Sequence, residues 1–183
     1  MNLSNKRLAF RYPRLADAPM LVKYVNNPKI GNFISYKWKN ISLAKEKSWI
    51  NRQKSLRRKG KAFAFVIKDK VLKDTIGVID IHDIEKENKY GKLGAWIATK
   101  YWGKGYTKDA LITLLKFAFG YLKLNKIVWQ VFDYNKNSQR FAEKFGFKKE
   151  YTDRERFIRK VKLVDEITYS ILKKDYLRKA KLL

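Results

Sequence analysis

Hydrophobic positions along the chain fall into short runs with strand spacing and longer stripes with helical spacing, divided by turn-forming residues. The first run, Arg7 to Tyr12, predicts a strand that Pro13 prevents from continuing as a central ladder member. A helix is expected from Asp17, a suitable N-cap, to about Val25, where Asn26-Asn27-Pro28 reads as a turn. Ser42 caps the next helix; Lys45 leaves its capping box incomplete, Trp49, Ile50, Gln53 and Leu56 follow with helical spacing, and Gly60 ends it. Ala62 to Lys68, Thr75 to His82 and Leu93 to Ala98 predict three strands of an antiparallel meander, joined by polar turns. Ala110, Leu111, Leu114, Leu115, Ala118 and Leu122 make a one-sided helical stripe, and Ile127 to Phe132 forms a strand behind it. Asn135 to Phe145 reads as a helix closed by Gly146, and Ile167, Tyr169 and Ile171 alternate with Glu166, Thr168 and Ser170 in a strand with one buried side. Lys173 to Leu183 is expected as a short basic helix. The order β, α, α, β, β, β, α, β, α, β, β predicts a mixed α/β domain. With no linker, repeat or low-complexity tract, residues 1–183 read as a single domain. Phe63, Phe65, Trp96, Phe117, Phe119, Phe141 and Phe145 are expected in its core.

Charge changes the picture more than composition does. The 45% hydrophobic and 33% charged residues are those of a globular protein, but 43 Lys+Arg against 17 Asp+Glu leave a formal charge of +26. Such a field favours polyanions and opposes cations. The helix after Ser42 concentrates it, with Lys45, Lys47, Arg52, Lys54, Arg57, Arg58 and Lys59 on its polar side. There is no cysteine and one histidine, His82, which excludes disulfides, thiolate metal sites, a cysteine nucleophile and a conventional triad, so no metal is expected. No leader-like segment opens the chain and nowhere do about 18 uncharged apolar residues follow one another, so the expectation is a cytoplasmic protein with no membrane partner.

The informative segment runs from Ala95 to Ala110: Ala-Trp-Ile-Ala-Thr-Lys-Tyr-Trp-Gly-Lys-Gly-Tyr-Thr-Lys-Asp-Ala. A strand enters, a glycine-bearing turn follows and a helix leaves, so backbone N–H groups of Gly103 to Thr107 converge at the positive end of that helix. Gly103 and Gly105 permit positive φ and close approach, and Lys104 and Lys108 add charge, which together suit a phosphate nest, beside the competing reading of a plain helix-entry turn. It is neither a P-loop nor a dinucleotide fingerprint, since no Gly-Lys-Ser/Thr ends it and the third glycine is missing.

This segment resembles the acetyl-CoA segment of the GNAT superfamily of N-acetyltransferases, most closely its RimJ/RimL-like branch. Further pieces match in order and spacing: Leu15-Ala16-Asp17-Ala18, Lys45 to Trp49-Ile50, Ile76-Gly77, Asn135-Lys136-Asn137-Ser138, Glu143-Lys144-Phe145-Gly146-Phe147 and Asp165 to Tyr169-Ser170. The superfamily loop usually reads Arg/Gln-x-x-Gly-x-Gly/Ala; here Trp102 takes the first position and Thr107 the last, and only Gly105 fits strictly. The resemblance implies a central, mostly antiparallel twisted sheet flanked by helices. It also implies direct transfer of an acetyl group from acetyl-CoA to an amine, with no metal and no covalent intermediate.

By the same resemblance, Ile97, Ala98 and Thr99 would pair with the pantetheine arm, Gly103, Lys104, Gly105, Tyr106 and Thr107 would hold the pyrophosphate, and Asn135 would bind the cofactor from the other side. Ser138 is the candidate acid for the departing thiolate, beside the competing reading of a helix-capping serine; Tyr134 or water is its replacement. Glu155, Asp80 and His82 are candidate bases, Glu155 the first choice, each with the alternative of a solvated charge. Phe33, Tyr36, Trp38 and Trp49 are candidates for acceptor contact. The charge favours a protein or peptide N-terminus on a ribosome or other RNA-rich assembly over polyamines and aminoglycosides. The alternative is an inactive member of the fold acting as a basic RNA- or ribosome-binding module, and a compositional bias would also produce the lysines. Monomer and homodimer are both compatible with the sequence.

Overall fold

The computed structural model describes residues 3–34, 40–159 and 161–180. Its strands are β1 (Leu3–Ser4), β2 (Leu8–Arg11), β3 (Phe63–Asp69), β4 (Thr75–Glu85), β5 (Tyr90–Ile97), β6 (Lys126–Phe132), β7 (Lys148–Arg159) and β8 (Lys162–Leu172). Its helices are α1 (Ala18–Val25), α2 (Pro28–Ile34), α3 (Leu43–Arg58), α4 (Tyr106–Lys116), α5 (Lys136–Phe145) and α6 (Lys173–Ala180). The strands form one eight-stranded sheet in the order β1-β2-β3-β4-β5-β6-β8-β7. β5 and β6 run parallel and the other neighbouring pairs antiparallel, so the expected mixed fold with a mostly antiparallel sheet and flanking helices is what forms.

Strand alternation sorts the helices onto two faces. Phe65, Ile67, Ile79, Ile81, Leu93, Ile127 and Trp129 point to one side, where Leu111 and Leu114 of α4, Ala142 and Phe145 of α5 and Tyr176 of α6 complete the main core. Val66 and Val78 point to the other side and meet Ala18 and Leu21 of α1 and Ile50 of α3. Trp49 and Trp96 pack beside this second cluster, and Trp96 also meets Tyr24, ring centroids 5.9 Å apart.

Three departures from the sequence pattern have local causes. Asn26-Asn27-Pro28 is a turn, but one that opens a further helix: Asn27 Oδ1 accepts from the Lys29 N–H at 3.0 Å, and Pro28 occupies the first helical position, which needs no N–H. β4 and β5 are longer than the apolar runs suggest, because Glu85 and Tyr90 still pair across a hairpin whose polar residues mask the ladder. β7 is largely exposed and carries no apolar alternation; it is held as an edge strand by its antiparallel partner β8. Of the seven aromatics expected in the core, Phe65, Phe117, Phe119 and Phe145 are buried, and Phe63, Trp96 and Phe141 are half-buried.

The sheet is not continuous through its middle. β5 and β6 pair only from Tyr90 and Lys126 to Leu93 and Trp129. Beyond that point β5 stays bonded to β4 and β6 to β8, but they no longer bond to one another, and a cleft opens between them.

Candidate active site

A cavity of about 360 Å3 occupies this cleft, with Ala95, Trp96 and Ile97 on one wall and Trp129, Gln130 and Val131 on the other. Two helix N-termini close its far end: Gly103 and Thr107 come from the start of α4, and Asn135, Asn137 and Ser138 from the start of α5. Ile30, Phe33 and Ile34 of α2 form the third side.

The β5 wall presents unpaired backbone. The Ala98 N–H donates to the Ile76 carbonyl at 2.8 Å, so Trp96 and Ala98 spend their main-chain groups on β4. By antiparallel alternation the N–H and C=O groups of Ala95 and Ile97 turn to the cleft. The Ile97 carbonyl is covered by the Trp102 indole, whose Nε1 donates to it at 2.6 Å. Trp102 at the loop's first position therefore ties the loop back to the strand that leads into it. The carbonyls of Ala98 and Thr99 accept from the Tyr101 and Trp102 N–H groups, so of the three expected pairing residues only Ile97 lines the cavity.

The loop after β5 has the backbone its sequence predicts. Gly103 has φ +72° and Gly105 φ +80°, and Gly105 is the N-cap of α4 without a side-chain cap. A Cβ at Gly103 would meet nothing within 4 Å, so this stretch faces open space rather than protein. The first-turn N–H groups of α4 are left for an anion. Lys104 is exposed at the turn, and its carbonyl accepts from Arg7 Nη1 at 2.8 Å.

Tyr106 turns inward rather than to the cleft. Its hydroxyl donates to the buried Asp69 at 2.7 Å, and the Arg7 guanidinium lies 3.5 Å from the centre of its ring. Backbone N–H groups of Leu72 and Val71 and the Tyr106 hydroxyl hold the Asp69 carboxyl below its usual range, and the same Asp69 bond raises the Tyr106 phenol. The amides at the helix start and the glycines that leave room fit a diphosphate such as that of coenzyme A, and the open strand edge beside them offers N–H and C=O groups to an amide-bearing arm.

Ser138 is not the cap of α5. Asn135 is, its Oδ1 accepting from the Ser138 N–H at 3.2 Å, and the Ser138 side chain is left at the cavity wall. The candidate bases stand elsewhere. Asp80 bonds His82 Nδ1 at 2.6 Å on β4 and rests against Gly94, where a Cβ would come 2.7 Å from Asp80 Oδ2. Burial disfavours the charged His82, but Asp80 and Asp83 more than offset it and raise the imidazole above its ordinary value. Glu155 is exposed in a bulge of β7 at φ +52°, its N–H donating to Asp165 Oδ1 at 2.8 Å. None of these three lines the cavity. Phe33 does, Trp49 does not, and Tyr36 and Trp38 fall outside the described residues.

Several wall residues escape pattern reading. The apolar pattern shows no helix at α2 and places Trp96 and Phe141 in the core. Gln130 interrupts the apolar run Ile127-Val128-Trp129-Gln130-Val131-Phe132, and that break is the one signal of this wall the sequence carries.

The chain resembles known acetyltransferases in sequence and in fold. Residues 7–148 match the family model described as "Acetyltransferase (GNAT) domain". N-acetyltransferase p20 of Bacillus licheniformis is 27% identical over 175 residues, 95% of this chain and 97% of its own. Among solved structures, the ribosomal L7/L12 alpha-N-protein acetyltransferase RimL in complex with coenzyme A superposes with a TM-score of 0.84 at 19% identity, over 94% of this chain and 98% of that one. Spermidine N-acetyltransferase from Vibrio cholerae, with CoA and spermine, gives 0.84 at 23% identity, over 94% and 99%. No helix among the described residues is long and apolar enough to cross a membrane. The glycine turn at the head of α4, the parted strands and the match over residues 7–148 thus have one common source: the chain belongs to the acetyltransferase (GNAT) domain family, and RimL-type enzymes are among its relatives in fold.

Proposed function

We propose that the protein binds acetyl-CoA in the β5–β6 cleft and passes the acetyl group directly to the α-amine of a protein or peptide. One observation carries the choice of acceptor: among the described residues the cavity wall contains no carboxylate and no imidazole. An α-amine with a pKa of about 8 is roughly one-tenth neutral at pH 7, whereas an amine near 10.4 is neutral about four times in ten thousand, a difference of about 3 kcal/mol. A site without a side-chain base suits the first kind of nucleophile. The +26 charge also opposes polyamines and aminoglycosides.

Acetyl-CoA would supply an activated thioester carbonyl, and the chain supplies position. The amides of Gly103 to Thr107 take the diphosphate, and the open edge at Ala95 and Ile97 aligns the arm, with an N–H available for the developing oxyanion. Asn135 closes the other side. The amine nitrogen forms its bond to the carbonyl carbon, its surplus proton goes to water, the C–S bond breaks, and the Ser138 hydroxyl gives the thiolate a proton that solvent restores.

The exposed side of α3 supports docking to an RNA-rich assembly: Lys45, Lys47, Arg52, Lys54, Arg58 and Lys59 are exposed, with no ion pair to an acid among the described residues. The same face is what a basic, non-catalytic module would use. Incubation with labelled acetyl-CoA and a panel of peptides, polyamines and aminoglycosides tests the reading, with label expected on peptide α-amines. Selective transfer to spermidine overturns the acceptor. Calorimetry without acetyl-CoA binding, together with steeply salt-dependent RNA binding, supports the non-catalytic module instead.

A further inference from the structure

We propose that Gln130 is the contact for the acceptor's amine, its Oε1 turned to the cleft because Glu166 holds its Nε2. The inference rests on the transferase reading above and names a binding point within that site. Gln130 is the first β6 residue beyond the end of the parallel ladder, and it lines the cavity. It pairs with Thr168 of β8, which puts Glu166 at the diagonal position on the same face, and Gln130 Nε2 donates to Glu166 Oε2 at 2.8 Å. A carboxylate only accepts, so the amide turns its nitrogen to Glu166 and leaves the oxygen, a pure acceptor, for the other side. No donor among the described residues meets that oxygen.

The strip around Gln130 is built to keep this orientation. Burial raises the Glu166 carboxyl above its usual range, while Arg156 and Lys92 act to keep it charged against neighbouring Asp153. The Thr168 hydroxyl opposite Gln130 is buried without a partner among the described residues, so the strip has hydrogen-bonding capacity that the protein itself does not use. An attacking amine directs its lone pair at the carbonyl carbon, and its N–H bonds then need an acceptor to fix that aim. A neutral amide oxygen provides one with only a weak preference for the ammonium form, whose lone pair is already spent. A carboxylate at the same place would prefer ammonium.

Steady-state kinetics on a peptide acceptor, with acetyl-CoA affinity measured by calorimetry, test the assignment. Gln130→Met keeps the length and loses the oxygen; the acceptor KM rises about tenfold, as loss of one substrate hydrogen bond implies, while acetyl-CoA affinity holds. Gln130→Glu keeps an acceptor oxygen but loses the Nε2 that Glu166 holds, so KM rises less than in Gln130→Met. Its new carboxylate, on the cavity wall with Lys29 and beside Glu166, which itself feels Arg156, Lys92 and Asp153, moves the acid limb of kcat to higher pH. Glu166→Gln frees the amide to turn, and KM rises a few-fold. An unchanged KM in Gln130→Met, or equal losses in the Met and Glu variants, overturns the assignment and leaves the transferase reading standing. A parent protein that binds no acetyl-CoA overturns both.

Discussion

At Gly105 a single side chain decides between a nest and a blocked turn. Its φ of +80° leads into α4; that backbone strains an L side chain, Asp less than most, and a Cβ there would come no nearer than 3.9 Å to Arg7 Nη1. Gly105→Asp therefore keeps the fold while setting a negative charge at the diphosphate position, and calorimetry should find acetyl-CoA affinity at least about tenfold weaker. Ser138→Ala separates acid catalysis from capping, because Asn135 is the cap and remains. kcat should fall about a hundredfold with acetyl-CoA affinity unchanged, whereas a merely structural serine would leave kcat near its parent value. Glu46 is a stability site. It is 2% exposed on the sheet side of α3, one carboxylate oxygen lacks a partner among the described residues, and burial pushes its pKa up to about 7. The folded state thus binds a proton that the unfolded state has released, and stability falls as pH rises from about 4.5 to 7. Glu46→Gln should raise the melting temperature by several degrees at pH 8, and the gain should vanish near pH 5.

The loop before α4 works as an element because others hold it. Arg7 of the N-terminal segment, Asp69 at the end of β3 and Tyr106 at the start of α4 form one buttress, and Asp74 braces the turn from its other side through Lys100 and Tyr101. Asp69 has the most bonds to lose: the Val71 and Leu72 N–H groups at 2.8 Å each, and the Tyr106 hydroxyl. Its depressed pKa gives stability that is present above the ordinary 3.8 and is lost as pH falls through the lower folded value. Asp69→Asn should cost about 1–3 kcal/mol in thermal melts at pH 7, and the difference from the parent should shrink towards pH 3. Because the bonds it breaks tie the nest to the sheet, acetyl-CoA affinity should fall as well.

Charge acts on the scale of the whole molecule. A formal +26 on 183 residues sets up a field that a substrate meets before any side chain. Reversing Lys45, Lys47 and Lys54 to Glu changes only exposed positions on α3, so folding and acetyl-CoA binding should hold. RNA affinity should drop, and the slope of log K against log salt should flatten by about one for each phosphate that the variant no longer neutralises. A slope unchanged by the triple reversal would place the docking surface elsewhere on the protein.

What the sequence by itself determined was local: the strand, glycine turn and helix at Ala95 to Ala110, the helix from about Asn135 to Phe145, the two-sided strands, and the charge of α3. Each follows from neighbours in the chain, through hydrogen bonds and side-chain periods a few residues long. Tertiary structure decided which of these meet. Only the point where β5 and β6 part puts Ala95 on one cavity wall with Gln130 and Ser138, which come from a later stretch of the chain, and keeps Asp80, His82 and Glu155 off that wall. Strand register and the end of a ladder are set by packing across the whole sheet, where each pairing depends on the helices laid over it, and no local pattern encodes that sum.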